Sequence, residues 1–286
     1  MDNEYQSNFA GIPDELGSFS RSTILLQPIP YDGTSTWRKG AGKGYDAFLQ
    51  AAYNMELYDI ETDSEVYTKG IHLLRPILEN RTPESVYKAV YQKVKQLLET
   101  EKFLTFYGGE HSVSIGIIRA YYEKWGNITI LQLDAHADLR PEYNGSPYNH
   151  ACALHDASLK TRLVQVGIRS MDVTEKKFLQ PDNVFYDHDL DPHGNWMESA
   201  LRRMETPVYI TLDMDVLDPA AFPSTGTPEP GGLSWHTLTR FLKKVFGAFE
   251  VLGFDMVEHA PLPGYSSPDF LAAKLYYKML SYKFSK

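Results

Sequence analysis

Short aliphatic and β-branched runs alternate with longer amphipathic stretches along most of the chain, and this alternation restricts the fold more than any other feature. The runs are Thr23–Gln27, Gly70–Leu74, Phe103–Tyr107, Ile128–Leu133, Leu163–Gly167, Asn183–Tyr186, Val208–Leu212 and Val251–Phe254. Several are almost continuously apolar, the pattern of strands buried on both faces. The stretches between them predict helices over Pro83–Glu101, Val113–Lys124, Val173–Leu179, Trp196–Met204, Trp235–Phe246 and Ser267–Tyr282. In the first of these, Thr82 can cap, Pro83 suits the first turn, and Val86, Val90, Val94, Leu97 and Leu98 form one stripe. Strand–helix alternation of this kind predicts an α/β fold with a parallel sheet covered on both faces. The glycine- and proline-rich stretches Pro28–Gly44 and Phe222–Gly232 read as long functional loops within one domain spanning residues 1–286.

Bulk properties exclude several roles. Hydrophobic residues make up 43% of the 286, enough for a large core and too many for a disordered chain. The net charge of -9 argues against a basic nucleic-acid-binding surface. The lone Cys152 cannot form an internal disulfide. Met1-Asp2-Asn3-Glu4 lacks the basic start and apolar run of a signal peptide, and no apolar run is long enough to span a membrane. The expectation is a cytoplasmic protein with neither nucleic-acid nor membrane partners.

Four predicted strands end in metal-binding residue types: Gly108-Gly109-Glu110-His111-Ser112, Asp134-Ala135-His136-Ala137-Asp138, Asp213-Met214-Asp215 with Leu217-Asp218-Pro219, and Asp255-Met256-Val257-Glu258. Alternate residues of an extended chain share a side, so Asp134, His136 and Asp138 can converge, as can Asp213 and Asp215. Ligands of open parallel sheets bind beyond the carboxyl ends of the strands, where these motifs lie. A single Asp after a strand is ordinarily a turn former or a helix cap. Asp-x-His-x-Asp leaving an apolar strand is different, because such groups repel and desolvate one another without a cation. The set of four Asp and two His is rich in oxygen and has no thiolate. It suits manganese in particular, with magnesium, iron or cobalt as alternatives. Four carboxylates balance two divalent ions, which points to a two-metal site.

With Ser224-Thr225-Gly226-Thr227-Pro228-Glu229-Pro230-Gly231-Gly232-Leu233, these motifs resemble the signatures of the ureohydrolase (arginase/agmatinase) family, in order and over about Leu26 to Glu258. The resemblance implies a three-layer α/β/α fold with an eight-stranded, mostly parallel sheet, and a homo-oligomer, commonly a trimer or hexamer. It also implies two Mn²⁺ per chain. His111, Asp134, Asp138 and Asp213 would hold one ion. Asp134, His136, Asp213 and Asp215 would hold the other, with Asp134 and Asp213 bridging. Glu258 matches the position that contacts the guanidinium, and Thr227 lies at the substrate-side threonine. His150 matches a loop histidine that shuttles protons, although family members often have glycine after it and this chain has Ala151-Cys152. On its own a histidine in a polar loop is just an exposed side chain. Cys152 reads as packing; His72, His155, His188, His193 and His236 read as structural or exposed; His259 is left open.

The implied chemistry is hydrolysis of a guanidinium to urea and an amine. Metal-activated water attacks, Asp138 takes up its proton, Glu258 orients the guanidinium, and His150 protonates the leaving amine. Leu139-Arg140-Pro141-Glu142 and Ser146-Pro147-Tyr148-Asn149 replace the arginase residues that read an α-carboxylate, so agmatine is the expected substrate. Glu142 is expected to attract its distal ammonium. Arg140 cuts the other way, since formiminoglutamases can show Asp-Leu-Arg here. For agmatine, Arg140 must turn aside or be neutralised by Glu142 or an acidic neighbour. Formiminoglutamase, guanidinobutyrase and arginase are the alternative activities. A non-catalytic metal-binding relative would be signalled by loss of a ligand or of Glu258, and all are present.

Overall fold

The computed structural model describes residues 8–191 and 195–285; His193 and Met1-Asp2-Asn3-Glu4 lie outside them. The strands are β1 (Ile24–Ile29), β2 (Ile71–Leu73), β3 (Phe103–Gly108), β4 (Thr129–Leu133), β5 (Arg162–Ile168), β6 (Val184–Tyr186), β7 (Val208–Asp213) and β8 (Val251–Val257). They form one eight-stranded sheet in the order β2-β1-β3-β8-β7-β4-β5-β6. Every neighbouring pair is parallel.

The helices are α1 (Asp14–Gly17), α2 (Gly44–Ala52), α3 (Pro83–Leu98), α4 (Val113–Trp125), α5 (His155–Lys160), α6 (Asn195–Leu201), α7 (Trp235–Ala248) and α8 (Ser267–Phe284). Side chains on a strand alternate between faces, and β1 shows how this builds two cores. Ile24 and Leu26 join Phe48, Trp196, Phe241 and Tyr276 from α2, α6, α7 and α8. Leu25 and Ile29 join Val90, Ile117 and Ala157 from α3, α4 and α5. The sheet is therefore the middle layer of an α/β/α sandwich, which is why several of its strands read as almost continuously apolar runs. Thr82 and Ser85 form a reciprocal capping box ahead of Pro83, so α3 starts where the sequence indicates.

Two expectations change. Val173–Phe178 is a 3-10 helix, not an α-helix. The helices α1, α2 and α5 were not foreseen; α2, the longest of them, begins with Gly44, a poor helix former. Its burial of Tyr45, Phe48 and Ala52 against the sheet supplies what propensity does not.

Candidate metal centre and active site

The four motif-bearing strands are consecutive neighbours, β3-β8-β7-β4, in the middle of the sheet. Their carboxyl ends meet at one place. His111 Nδ1 lies 3.1 Å from Asp134 Oδ2, 3.1 Å from Asp138 Oδ2 and 3.3 Å from Asp213 Oδ2. His136 Nδ1 lies 2.9 Å from Asp215 Oδ2 and 3.7 Å from Asp134 Oδ1. Two groups suited to a cation result, His111–Asp134–Asp213 and Asp134–His136–Asp215, sharing Asp134.

The convergence is only partly that of an extended chain. β4 ends at Leu133, and Asp138 reaches the cluster through a left-handed backbone, φ 54°. Asp213 and Asp215 are joined by a 3-10 turn over Met214–Val216, in which Asp213 Oδ1 accepts the Asp215 amide at 2.9 Å. Glu258 is also left-handed, φ 62°. Such conformations in Asp and Glu cost energy and are held by their surroundings. Around Glu258 those surroundings are explicit. Its amide donates to Gly109 O at 2.7 Å and its Oε1 accepts the His111 amide at 2.8 Å. Gly109 itself is pressed against the carbonyl of Tyr31, where any Cβ would collide.

Hydrogen-bond bookkeeping decides what the cluster can hold. Asp255 accepts from Tyr209 Oη (2.8 Å), Ser114 Oγ (3.1 Å) and Thr211 Oγ1 (2.7 Å). With its proton committed to Asp255, Thr211 Oγ1 accepts from His111 Nε2 at 3.0 Å. Without a cation, burial is outweighed by hydrogen bonds to Asp134, Asp138 and Asp213, which raise the His111 pKa well above the usual imidazole range; in the neutral form that a metal ligand requires, the ring turns a lone pair, on Nδ1, toward three carboxylate oxygens. His111 Nδ1 and Asp215 Oδ2 are buried with no hydrogen-bond partner among the described residues. Acceptors facing acceptors in a buried site call for a cation between them, so the donor set fits divalent metal. Asp255 supports this arrangement from behind and is not itself one of the grouped ligands.

The electrostatics agree. Burial and the neighbouring Asp134 push the Asp138 carboxyl up to about 7. Burial and Asp215 raise Asp213 well above the usual carboxylate range. Burial and Glu110 do the same to Glu258. Mutual elevation of this kind is what bound cations relieve.

A cavity of about 270 Å³ opens over the cluster, lined by Asp138, Asp213, Asp215, Glu258, Thr227 and His150 among others. His150 sits on its wall, half-buried, and burial lowers its pKa to about 4. Glu142 is elsewhere: it is exposed and does not line the cavity. The structure thus does not bring Glu142 to the cavity with Glu258 and Thr227; Glu142 directly precedes the turn closed by Tyr143 and Ser146. The acidic residues that do line the wall, Asp172 and Glu175, were missed. Arg140 lies between them, 3.8 Å from Asp172 Oδ2 and 3.9 Å from Glu175 Oε2, over the ring of Tyr143 at 4.6 Å. Its neutralising partners are thus acidic neighbours and not Glu142. The readable signal was Asp172-x-x-Glu175, a capping box whose members also face the cavity. His259 is fully buried, bonded to Tyr107 Oη (2.7 Å) and Asp269 Oδ1 (2.9 Å), and serves the packing behind Glu258.

Fold and site together define a hydrolase of the ureohydrolase class. The Arginase family model matches residues 22–281, and the chain belongs to that family. A Thermus thermophilus relative named N(1)-aminopropylagmatine ureohydrolase is 35% identical over 93% of this chain and 92% of its own length. A Synechocystis protein of the same name is 32% identical over 94% and 92%. The crystal structure of an agmatine ureohydrolase from Thermoplasma volcanium superposes with a TM-score of 0.86 at 30% identity, covering 96% of this chain and 94% of that one. Among the described residues no helix is long and apolar enough to cross a membrane.

Proposed function

We propose that this chain hydrolyses the guanidinium group of a small molecule with a cationic tail, releasing urea and an amine, with agmatine as the simplest such substrate. The observation that carries this reading is the cavity itself. It joins the carboxylate Glu258, beside the ligand cluster, to an outer wall where Asp172 and Glu175 outnumber Arg140. The names of the relatives favour a second, related substrate, agmatine extended by an aminopropyl group.

His111, Asp134, Asp138 and Asp213 would hold one manganese ion, and Asp134, His136, Asp213 and Asp215 the other. When bound, such a pair supplies the charge that makes water a nucleophile at neutral pH. The protein's own groups do the rest. Glu258 grips the guanidinium by charge-assisted hydrogen bonds and fixes its carbon beside the cluster. Asp138 takes the proton that the attacking water gives up. Thr227 offers a hydroxyl on the substrate side. The His150 ring, neutral at rest because burial lowers its pKa, takes up the proton held by Asp138 and passes it from Nε2 to the departing nitrogen. The balance is one guanidinium and one water to one urea and one alkylammonium; the C–N bond to the tail breaks and both water protons end on the amine.

The test is urea release from agmatine, N1-aminopropylagmatine, arginine and guanidinobutyrate, with formamide scored for formiminoglutamate, all with added manganese. Cationic tails should exceed carboxylate tails by about 10²-fold in kcat/KM, since like-charge juxtaposition costs several kcal/mol. Preference for a carboxylate-tailed substrate, lost in Arg140→Ala, would show the tail assignment to be wrong while leaving the metal chemistry in place.

A further inference from the structure

The loop after β1 reaches the site through Thr34, a residue that none of the four motifs contains. Its Oγ1 accepts the backbone amide of His150 at 3.0 Å and lies 3.2 Å from the Nδ1 of the same residue. One oxygen therefore holds both the main chain and the ring of His150, across 116 residues of sequence. Thr34 is itself anchored, because its amide donates to Glu110 Oε1 at 3.2 Å. Glu110 is fully buried and also accepts from Ser112 N (2.9 Å) and Ser112 Oγ (2.8 Å). The path Glu110–Thr34–His150 thus runs from the residue before the ligand His111 to the far wall of the cavity. The edge of Tyr143, its ring centroid 6.3 Å from that of His150, flanks the ring on another side.

A proton-transferring histidine needs a partner for its second nitrogen in each state of the cycle. A hydroxyl is suited to this because it both donates and accepts. It donates to Nδ1 when Nδ1 carries a lone pair, and accepts from Nδ1–H when the ring is charged or has just given up its Nε2 proton. In either case the ring stays in place with Nε2 on the opposite edge. A carboxylate partner would hold the ring charged, and a methyl would satisfy neither state.

We propose that Thr34 is a positioning residue for proton transfer, its hydroxyl fixing His150 through Nδ1 in every protonation state. The inference rests on the reading of His150 given above. It requires that Thr34→Val lower kcat by about tenfold to a hundredfold, part of the 10²–10⁴ that a positioned acid or base contributes, with KM changed less than about twofold. Thr34→Ser, which keeps the hydroxyl, should restore kcat to within about threefold. A readout independent of turnover accompanies these: the Nδ1 resonance of His150 in full-length, ¹⁵N-histidine-labelled protein in magnesium buffer. It should be alike in wild type and Thr34→Ser and displaced in Thr34→Val. A Thr34→Val protein with the wild-type resonance, or with wild-type kcat, overturns the proposal. If His150→Asn turned over normally, the reading of His150 would fail instead, and the resonance would still decide whether Thr34 holds the ring.

Discussion

Replacing Glu258 by glutamine is expected to lower kcat/KM for urea release by roughly 10²-fold or more, because removing one charge of a buried, hydrogen-bonded pair costs about 2–5 kcal/mol. Glutamine keeps an oxygen for the His111 amide, now 2.8 Å from Glu258 Oε1, so the strand ends and the metal content should be unchanged. The loss should fall on both KM and kcat, since the same contact binds the guanidinium and aims it. A pH dependence follows from the sign of the shift. Burial and Glu110 hold the free Glu258 carboxyl well above its ordinary range, so its protonated form persists to higher pH. Only the ionised form pairs with a guanidinium; KM should therefore fall as pH rises through the value the carboxyl keeps once cations are bound, and Glu258→Gln should flatten the dependence. A glutamine variant with wild-type kcat/KM and the same bound metal would remove Glu258 from substrate recognition.

The second large effect is at His150. His150→Asn should lose about 10²–10⁴ in kcat while binding metal as before, the magnitude of a positioned general acid or base. Asparagine retains the backbone amide that Thr34 Oγ1 accepts at 3.0 Å, so the loop keeps its anchor and the defect isolates the ring. Steady-state kinetics beside elemental analysis of the purified variant check both halves. Normal turnover would return His150 to an ordinary half-buried loop residue.

The sheet was legible because burial on both faces leaves little choice of residue in its central strands; all eight expected runs overlap strands, the half-buried edge strands Ile71–Leu73 and Val184–Tyr186 included. The candidate ligand types were legible for a related reason, since Asp134, His136, Asp213 and Asp215 stand at or just beyond the ends of apolar strands, where charge has no packing role. What the sequence could not convey is conformation imposed from a distance. The left-handed backbones of Asp138 and Glu258 contradict local preference and exist because neighbouring segments fix them. The contact of Thr34 with His150 spans two loops that show no periodicity. Glu142 looked suited to a cationic tail because it is close in sequence to Asp138, whereas the cavity draws its outer acids, Asp172 and Glu175, from the segment after β5. The helix α2 depends on burial of Phe48 and Tyr45 more than on its own propensity.

In the proposed reaction a pair of divalent ions on His111, Asp134, His136, Asp138, Asp213 and Asp215 drives guanidinium hydrolysis. This is tested most directly by adding manganese stepwise to metal-free protein and recording bound metal by elemental analysis against urea released from agmatine and N1-aminopropylagmatine. Six ligands with shared carboxylates exceed the needs of one ion, so activity should appear only as the content approaches two ions per chain. Full turnover at one ion per chain, or none from either compound at two, would contradict the account.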